Sequence, residues 1–262
     1  RFRFGSVYLL LHIFRDNQFL QNKRKEIILG ITKKLTIKRT SEGFTEGQTF
    51  EVERIDKNTS EKDFKKYVQK GIPVIFTGGA EDWECTKKWN LDYLNKKFGD
   101  VSFPIVSRKG LLSAEEKPPE GFDKEYTEKV LIKDFVQEVK DGGDLYMRFS
   151  PIMEQNESLI ADFDLSWLRK MRQCLFGASY QTFIGGKGKK TPLHAGMTAF
   201  FFIMAEGEKD WTMYPTSYFP LINLEPDGFG YQYTKADITN PDKEDYPGFE
   251  LMHKFKCHLN KG

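Results

Sequence analysis

The sequence predicts an α+β domain built around a barrel or sandwich of antiparallel strands. Two features of the sequence support this prediction. Between residues 60 and 143, amphipathic helical patterns alternate with short apolar runs of strand length. From residue 179 onward, one strand pattern follows another, separated by short turns. Helices that precede a block of strands are typical of an α+β fold. Hydrophobic residues make up 39% and aromatic residues 15% of the 262 residues, so a sizeable core can form.

Three helices are expected in the first half of the chain. Ser60 can cap the first helix, because its side-chain oxygen can accept from a free amide of the first turn, and Gly71 can end it. The second helix is predicted over residues 87–100 and the third over residues 130–143, each followed or ended by glycine. Short strands are predicted at residues 72–76, 101–106 and 144–149.

The second half of the chain is predicted to form strands. SYQTFIGG alternates, KGKK makes a turn, TPLH begins the next strand and TAFFFIMAEG, residues 198–207, continues it. Further strands are predicted at KDWTMYP and at KFKCHL, residues 254–259. The last strand ends where another hairpin would be needed to pair the open edge. The sequence therefore predicts a sheet that is incomplete at Gly262, as in a truncated chain.

Residues 1–48 are predicted to form a basic arm, and residues 49–262 the domain. The apolar run VYLLLHIF, residues 7–14, is far shorter than the roughly 20 residues of a membrane-spanning helix. Its helical spacing predicts a basic amphipathic helix that packs on its own domain or on a partner protein. The first 15 residues contain three arginines and no acid, which resembles a mitochondrial targeting composition and leaves that location open.

The charge and the cysteine content bear on nucleic-acid binding and on the redox compartment of the protein. The formal net charge is +2, which argues against a dedicated nucleic-acid surface, although local patches stay open. Cys85, Cys174 and Cys257 lie far apart with no CxxC spacing. They are interpreted as free thiols, as in an intracellular, reducing compartment.

The stretch TPLHAGMTAFFFIMAEGEK, residues 191–209, carries the candidate metal chemistry. Non-haem iron needs two imidazoles and usually one carboxylate on one face of the site, and His194 meets the first requirement. Residues two apart on a strand point to the same side, so the carboxylate is expected at position 196. Gly196 stands there and offers no ligand atom. A lone histidine on a strand also fits a structural role.

A second set of residues could hold an organic acid. A co-substrate such as 2-oxoglutarate needs a buried cation for its far carboxylate and hydroxyls beside that cation. Lys209 follows one hairpin after His194 and could supply the cation, and Thr191 and Tyr146 could supply hydroxyls. Lys209 within EGEKD also fits a solvated turn, so each residue taken alone leaves both interpretations open.

Several stretches, in their order and spacing, resemble the JmjC domain of the cupin superfamily over residues 50–262. The stretches are GIPVIFTGGAEDW with CTKKWNLDYL, DLYMRF, TPLH, FFFIMAEGEKDWTMYP, ITNPDKEDYPGF and KCHLNKG. The similar branch is that of small hydroxylases containing the asparaginyl hydroxylase of hypoxia signalling and the tRNA wybutosine hydroxylase. This resemblance implies a double-stranded β-helix (jelly roll) with N-terminal helices packed on it, Fe(II) as metal and 2-oxoglutarate as co-substrate.

The resemblance also assigns roles to residues. Tyr146, Thr191 and Lys209 match positions that contact 2-oxoglutarate, and His194 matches the first iron ligand. The second iron histidine is expected beyond Gly262. His253 and His258 are poor candidates for it, because their neighbours match a loop and the preceding strand.

Two departures from the family pattern concern the iron site. Gly196 replaces the carboxylate, a change shared with related oxygenases that halogenate carbon, where the space accommodates chloride. Phe200 stands where a polar residue near the co-substrate is usual, and an apolar ring there is expected to exclude water.

Two hypotheses of different class follow. The first, which the lost carboxylate favours, is a JmjC-like protein with a degenerate iron site that acts as a structural or binding subunit and docks a partner protein through residues 1–48. The second is an active Fe(II)/2-oxoglutarate hydroxylase of a protein or a tRNA, with Lys187, Lys189 and Lys190 near substrate phosphates. A solvated turn is the alternative for these lysines.

Overall fold

A computed structural model describes residues 17–105, 128–150, 152–172, 180–196, 199–226 and 232–262. The chain folds as two compact units, each assembled from separate stretches of sequence. The described residues of the first unit lie within 17–51, 193–196 and 212–256, and those of the second unit within 52–192, 199–211 and 257–262.

Helices and strands follow one another along the described ranges. The α-helices are α1 Gln18–Ser41, α2 Glu61–Lys70, α3 Glu84–Lys88, α4 Leu91–Phe98, α5 Ile132–Lys140, α6 Ile152–Gln155, α7 Glu157–Ile160, α8 Leu165–Met171 and α9 Phe219–Ile222. The strands are β1 Thr49–Glu51, β2 Glu53–Asp56, β3 Val74–Thr77, β4 Ser102–Ile105, β5 Glu128–Leu131, β6 Tyr146–Ser150, β7 Thr182–Gly185, β8 His194–Ala195, β9 Glu208–Met213, β10 Glu225–Pro226, β11 Gln232–Tyr233 and β12 Lys254–Asn260. Short 3-10 turns cover Thr216–Tyr218 and Phe249–Leu251.

The first unit packs the long helix α1 against a cluster of apolar side chains from residues 221–252. Ile28 of α1 joins Leu221, Phe249 and Met252 in this cluster. In the same unit, β1 pairs in parallel with the first residues of β12, and β8, β11 and β10 form an antiparallel sheet. Arg39, almost fully buried, donates to the Leu251 carbonyl over 3.0 Å. This bond anchors the end of α1 on its own unit.

The second unit contains the larger core. Side chains from its helices and from the strands β4 and β6 meet there, and the following are fully buried: Cys85, Phe103, Ile105, Ile132, Phe135, Met147, Ile152 and Leu159. Strands β2 and β3 pair in parallel, whereas β4 pairs with β5 and β6 with β7 in antiparallel fashion. These pairings place β6, which carries Tyr146, directly on the core.

The structure confirms the predicted helix after Ser60 and changes the bounds of the other two predicted helices. The Ser60 hydroxyl accepts from the Asp63 amide over 3.2 Å, and Gly71 takes a left-handed φ of 66° at the other end. The single helix predicted over residues 87–100 is wrong, because Asn90 begins a new helix by accepting from the Tyr93 amide. The helix predicted from residue 130 starts later, at Ile132, since the residues before it belong to β5.

The strand predicted over residues 198–207 is also wrong. Residues 199–205 belong to no strand, and β9 begins at Glu208. The Met204 carbonyl accepts from the Gly262 amide over 3.0 Å, so this backbone bonds to the chain's last residue rather than to a neighbouring ladder. The other predicted strands are present with shifted ends.

The α+β class is confirmed, with the predicted helices before the main block of strands. The jelly-roll barrel, its incomplete edge at Gly262 and the domain boundary at residue 48 stay predictions. Residues 7–14 and Cys174 lie outside the described residues. Within the described ranges, no helix is both long and apolar enough to cross a membrane.

Candidate functional site

Tyr146 lies at the start of β6 and is 3% exposed. Its partner across the ladder is Gly185 on β7, and a Cβ at that position would lie 2.7 Å from Cδ2 of the Tyr146 ring. The missing side chain therefore gives the ring its room. Asp144 and Lys189, which flank the two strands, form an ion pair beside it.

The structure brings three of the sequence-predicted residues together in the second unit. The Tyr146 hydroxyl lies 2.9 Å from the Thr191 hydroxyl oxygen, and the Lys209 ammonium donates to the Tyr146 hydroxyl over 3.3 Å. Either hydroxyl can donate to the other, and the hydroxyl that does not donate within the pair can donate to a ligand together with the remaining N–H groups of Lys209. These donors lie close together, as binding of a carboxylate requires. These three residues are called the hydroxyl–lysine cluster below.

Two further residues border this cluster that the sequence reasoning missed. Arg148 is 1% exposed, and its guanidinium carbon lies 5.8 Å from the centre of the Tyr146 ring. Trp211 has its ring centre 5.7 Å from the Lys209 ammonium. Arg148 follows Tyr146 by two residues and Trp211 follows Lys209 by two, and on a strand this spacing is the signal that could have found them.

The geometry around Arg148 includes an irregularity of β6. Between Met147 and Ser150 the strand has one residue more than β7 opposite it, since Met147 pairs with Ile184 and Ser150 with Thr182. Such bulges re-aim side chains relative to a regular ladder. Arg148 lies within the bulge.

His194 lies in the first unit, on the short strand β8. It pairs with Tyr233 on β11, and the two rings stack with centres 5.4 Å apart and planes 27° apart. Gly196 follows as an exposed residue. Among the residues that the structure describes, no group of three or more His, Cys, Asp or Glu side chains is placed to hold a metal ion. The described residues therefore fit the carboxylate of 2-oxoglutarate but do not present the donor set that iron needs.

The exposure of Phe200 does not match the expectation of an apolar ring that excludes water near the co-substrate. The Phe200 side chain is 67% exposed, and its ring centre lies 6.1 Å from that of Trp211. Phe202 packs closer, with its ring centre 4.9 Å from that of Trp211 and its ring edge-on to it. Phe202, two residues further along the chain, is half-buried.

The two histidines rejected as ligands make other contacts. The His253 Nδ1 accepts from the Gln48 amide over 2.8 Å, and burial lowers the pKa of this imidazole. The His258 Nδ1 lies 2.9 Å from Asp210, and the hydrogen bond to that carboxylate raises the pKa of His258.

A cavity of about 410 Å³ in the second unit lies at a different place. Its lining includes Trp83, Asp162 and Trp167, and none of the sequence-predicted site residues. The candidate site is therefore assigned from the hydroxyl–lysine cluster rather than from the cavity.

Comparison with known proteins places the chain in a family. Residues 60–262 match the cupin-like domain family. The chain belongs to this family. The cupin-like match covers the hydroxyl–lysine cluster, His194 and Gly196, so the candidate site lies inside the shared domain.

Relatives of this cupin-like chain carry names of JmjC and related proteins. JmjC domain-containing protein E of Dictyostelium discoideum is 23% identical over 192 residues, which are 66% of this chain and 54% of that protein. The tRNA wybutosine-synthesizing protein 5 of Gallus gallus is 24% identical over 234 residues, 81% of this chain and 69% of that protein. Lysine-specific demethylase 8 of Xenopus tropicalis is 20% identical over 200 residues, 72% of this chain and 42% of that protein.

These matches confirm the resemblance to JmjC proteins of the cupin superfamily. The chain spans about half the length of the Dictyostelium relative. Identities of 20–24% leave the residues of the iron site free to differ between these proteins.

Proposed function

We propose that this cupin-like domain binds a small carboxylate metabolite without iron-dependent turnover, and that it serves as a binding or structural subunit. The observation that carries the proposal is the hydroxyl–lysine cluster, in which Tyr146 contacts both Thr191 and Lys209. The carboxylate ligand that iron would need is replaced by Gly196. The chain thus keeps the residues for an organic acid and departs from the pattern at the metal.

Electrostatics support an anionic ligand. Lys209 is partly buried, and its ammonium lies 5.9 Å from the centre of the Tyr146 ring and 5.7 Å from that of the Trp211 ring. A cation removed from water costs free energy unless an anion or several hydrogen-bond partners compensate it. A bound carboxylate supplies that compensation and accepts from Lys209 and from a neighbouring hydroxyl.

A protein partner is proposed for residues 1–48. Helix α1 in this segment leaves Phe19, Leu29 and Ile37 exposed. On a segment rich in Lys and Arg, these side chains are the apolar contacts that a partner would use. The wide spacing of the three cysteines, with no CxxC pair, is what favours an intracellular compartment for this subunit.

The second candidate is an active Fe(II)/2-oxoglutarate hydroxylase. The intact hydroxyl–lysine cluster favours it, as do relatives named as a tRNA wybutosine-synthesizing protein and a lysine-specific demethylase. This candidate requires His194 to bind iron without a carboxylate two residues on. The substrate would be a protein or a tRNA.

Anaerobic titration decides between the two candidates. The protein is titrated with 2-oxoglutarate, first in EDTA by calorimetry and then with Fe(II), while the visible charge-transfer band of an iron chelate is followed. We expect binding in EDTA, its loss in Lys209→Met, and no band. Lys187→Met is the matched control, because Lys187 is an exposed lysine of the KGKK turn.

Two results would overturn the proposal. One is a saturable band in the wild type that disappears in His194→Ala, accompanied by conversion of 2-oxoglutarate to succinate. The other is the absence of any 2-oxoglutarate binding in EDTA at millimolar concentration.

A further inference from the structure

We propose that the cavity lined by Trp83 and Trp167 is a second binding site, which takes the trimethylammonium group of a small organic cation. Its volume of about 410 Å³ lies within the range of about 300–1,000 Å³ that is usual for small-molecule sites. Tyr146, Thr191 and Lys209 do not line this cavity. The inference therefore goes beyond the proposed carboxylate site and does not depend on it.

Three aromatic rings contribute to the wall of the cavity, those of Trp83, Phe163 and Trp167. The ring centre of Trp83 lies 5.9 Å from that of Trp167 and 6.0 Å from that of Phe163. The interplanar angles are 68° and 72°, so the rings face in different directions instead of stacking on one another. The face of an aromatic ring attracts a cation that comes within about 6 Å of its centre. The wall therefore suits a cation that has an apolar surface.

The charged residues of the lining also favour a cation. Among the described residues that line the cavity, four are acidic and one is basic: Asp82, Glu84, Asp162 and Asp164, with Lys57. Three of the acids have lysine partners. Lys57 pairs with Asp82 over 3.1 Å, and Lys88 pairs with Glu84 over 2.9 Å and with Asp162 over 3.3 Å.

Asp164 is the lining acid that has no cation partner among the described residues. Its carboxylate accepts from the Trp167 amide over 2.9 Å and so caps helix α8. The cap holds the carboxylate within one helical turn of the Trp167 ring, and a cation in the cavity would have both as neighbours. Asp164 is exposed, so water screens its charge and its share of the affinity is small.

The hydrogen bonds of the buried acid favour a cation without N–H groups. Asp162 already accepts from the Trp89 indole over 2.8 Å and from the Lys88 ammonium over 3.3 Å. An ammonium or guanidinium group needs an acceptor for each N–H that it takes out of water. A trimethylammonium group has no N–H and turns its methyl groups to the rings, as in aromatic cages that recognise such groups.

The test is calorimetric titration with choline as the probe. One comparison ligand is the neutral carbon analogue of choline, in which a tert-butyl group replaces the trimethylammonium group and keeps its shape. The other is ethanolamine, in which the cation carries N–H groups. We expect saturable binding of choline at millimolar concentration, with both comparison ligands weaker by at least about threefold.

Two variants assign the binding to the cavity. Trp167→Leu removes one ring of the wall and should weaken choline roughly threefold to thirtyfold. Asp164→Asn keeps an acceptor for the Trp167 amide but removes the charge. It should weaken choline by about twofold to fivefold and leave the tert-butyl analogue unchanged. Asp134→Asn is the matched control, because Asp134 is an exposed acid in the first turn of α5 and does not line the cavity.

Each possible failure has a distinct meaning. Equal affinity for choline and its tert-butyl analogue would overturn the assignment of a cation site, and ethanolamine bound as tightly as choline would overturn the trimethylammonium group. Choline affinity that is unchanged in both variants would place the binding elsewhere and overturn the site. If Trp167→Leu does not fold, Asp164→Asn decides alone, since asparagine caps helices as well as aspartate does. Absence of saturable choline binding overturns the inference and leaves the proposed carboxylate site standing, because choline is titrated without 2-oxoglutarate.

Discussion

Replacing Gly185 by alanine should disable the hydroxyl–lysine cluster without touching any of its members. The new Cβ would lie 2.7 Å from Cδ2 and 3.1 Å from Cε2 of the Tyr146 ring, and 3.2 Å from Cγ of Lys189. Carbon atoms in ordinary contact are about 3.5–4.0 Å apart, so the ring must retreat by about 1 Å. The Tyr146 hydroxyl moves with it.

That displacement is large compared with the contacts of the hydroxyl. Its distances are 2.9 Å to Thr191 and 3.3 Å to Lys209, and a shift of about 1 Å takes both outside hydrogen-bonding range. Overpacking of this kind costs about 1–3 kcal/mol of folding free energy. Loss of one hydrogen bond to the charged ligand costs about 1.5–3 kcal/mol of binding free energy. Since about 1.4 kcal/mol corresponds to a factor of ten, carboxylate affinity should fall roughly tenfold to hundredfold.

Urea denaturation and calorimetric titration with 2-oxoglutarate in EDTA measure the two effects. The neighbouring Gly186→Ala is the matched control, because the nearest atoms to its new Cβ lie 3.8–3.9 Å away in ordinary contact. If Gly185→Ala unfolds at the same urea concentration as Gly186→Ala and binds the acid as tightly, the assigned position of the Tyr146 ring is refuted.

Three further predictions concern other parts of the chain. Asp162→Ala should lower the free energy of unfolding by about 1.5–3 kcal/mol, because the buried Trp89 indole donates to this carboxylate over 2.8 Å. A change below about 0.5 kcal/mol in urea denaturation, which is typical of a surface substitution, would contradict this prediction. The Cys85 thiol should resist alkylation at pH 8, since burial raises its pKa to about 11, and rapid labelling of the folded protein by mass spectrometry would refute this. The hydrogen bond to Asp210 raises the pKa of His258. The stabilisation from this pair should therefore be present below about pH 6.5 and be lost as the pH rises through the higher pKa of the folded state. His258→Gln should flatten this part of the curve of unfolding free energy against pH, and an unchanged curve would argue against the pair.

Local signals predicted helix starts well where one side chain decides them. Ser60 and Gly71 enclose α2 as expected, because capping depends on residues adjacent in sequence. The break at Asn90 was missed, since an amphipathic stripe continues across it and periodicity does not register a new cap. The apolar run of residues 199–205 was misassigned, because an extended apolar segment forms a strand when a neighbour is present to pair with, and this depends on tertiary structure.

The proximity of the three candidate residues was predictable where strand periodicity and family spacing agree, and their role in binding 2-oxoglutarate stays a prediction. Tyr146, Thr191 and Lys209 were chosen from sequence and meet through 2.9 Å and 3.3 Å contacts. Arg148 was missed because arginine is mostly a surface residue, and its spacing of two residues from Tyr146 was the one local sign that it lies on the same side of the strand. Phe200 was misjudged because the apolar run alone does not show which of its rings is exposed, and Phe202 is the ring that packs closer to Trp211.

The way the first unit is assembled has a consequence for biosynthesis. Strand β1 pairs with β12, and α1 packs on side chains from residues 221–252, contacts that join positions about 200 residues apart. Ribosomes add about 5–20 residues per second, so residues 221–252 are synthesised roughly ten to forty seconds after α1. During this time the apolar side chains of α1 lack the segment that they pack against. The helices of the second unit lie between these two segments, and their largely local contacts can form meanwhile. During that time the nascent chain exposes the apolar side chains of α1 that the finished unit buries, such as Ile28.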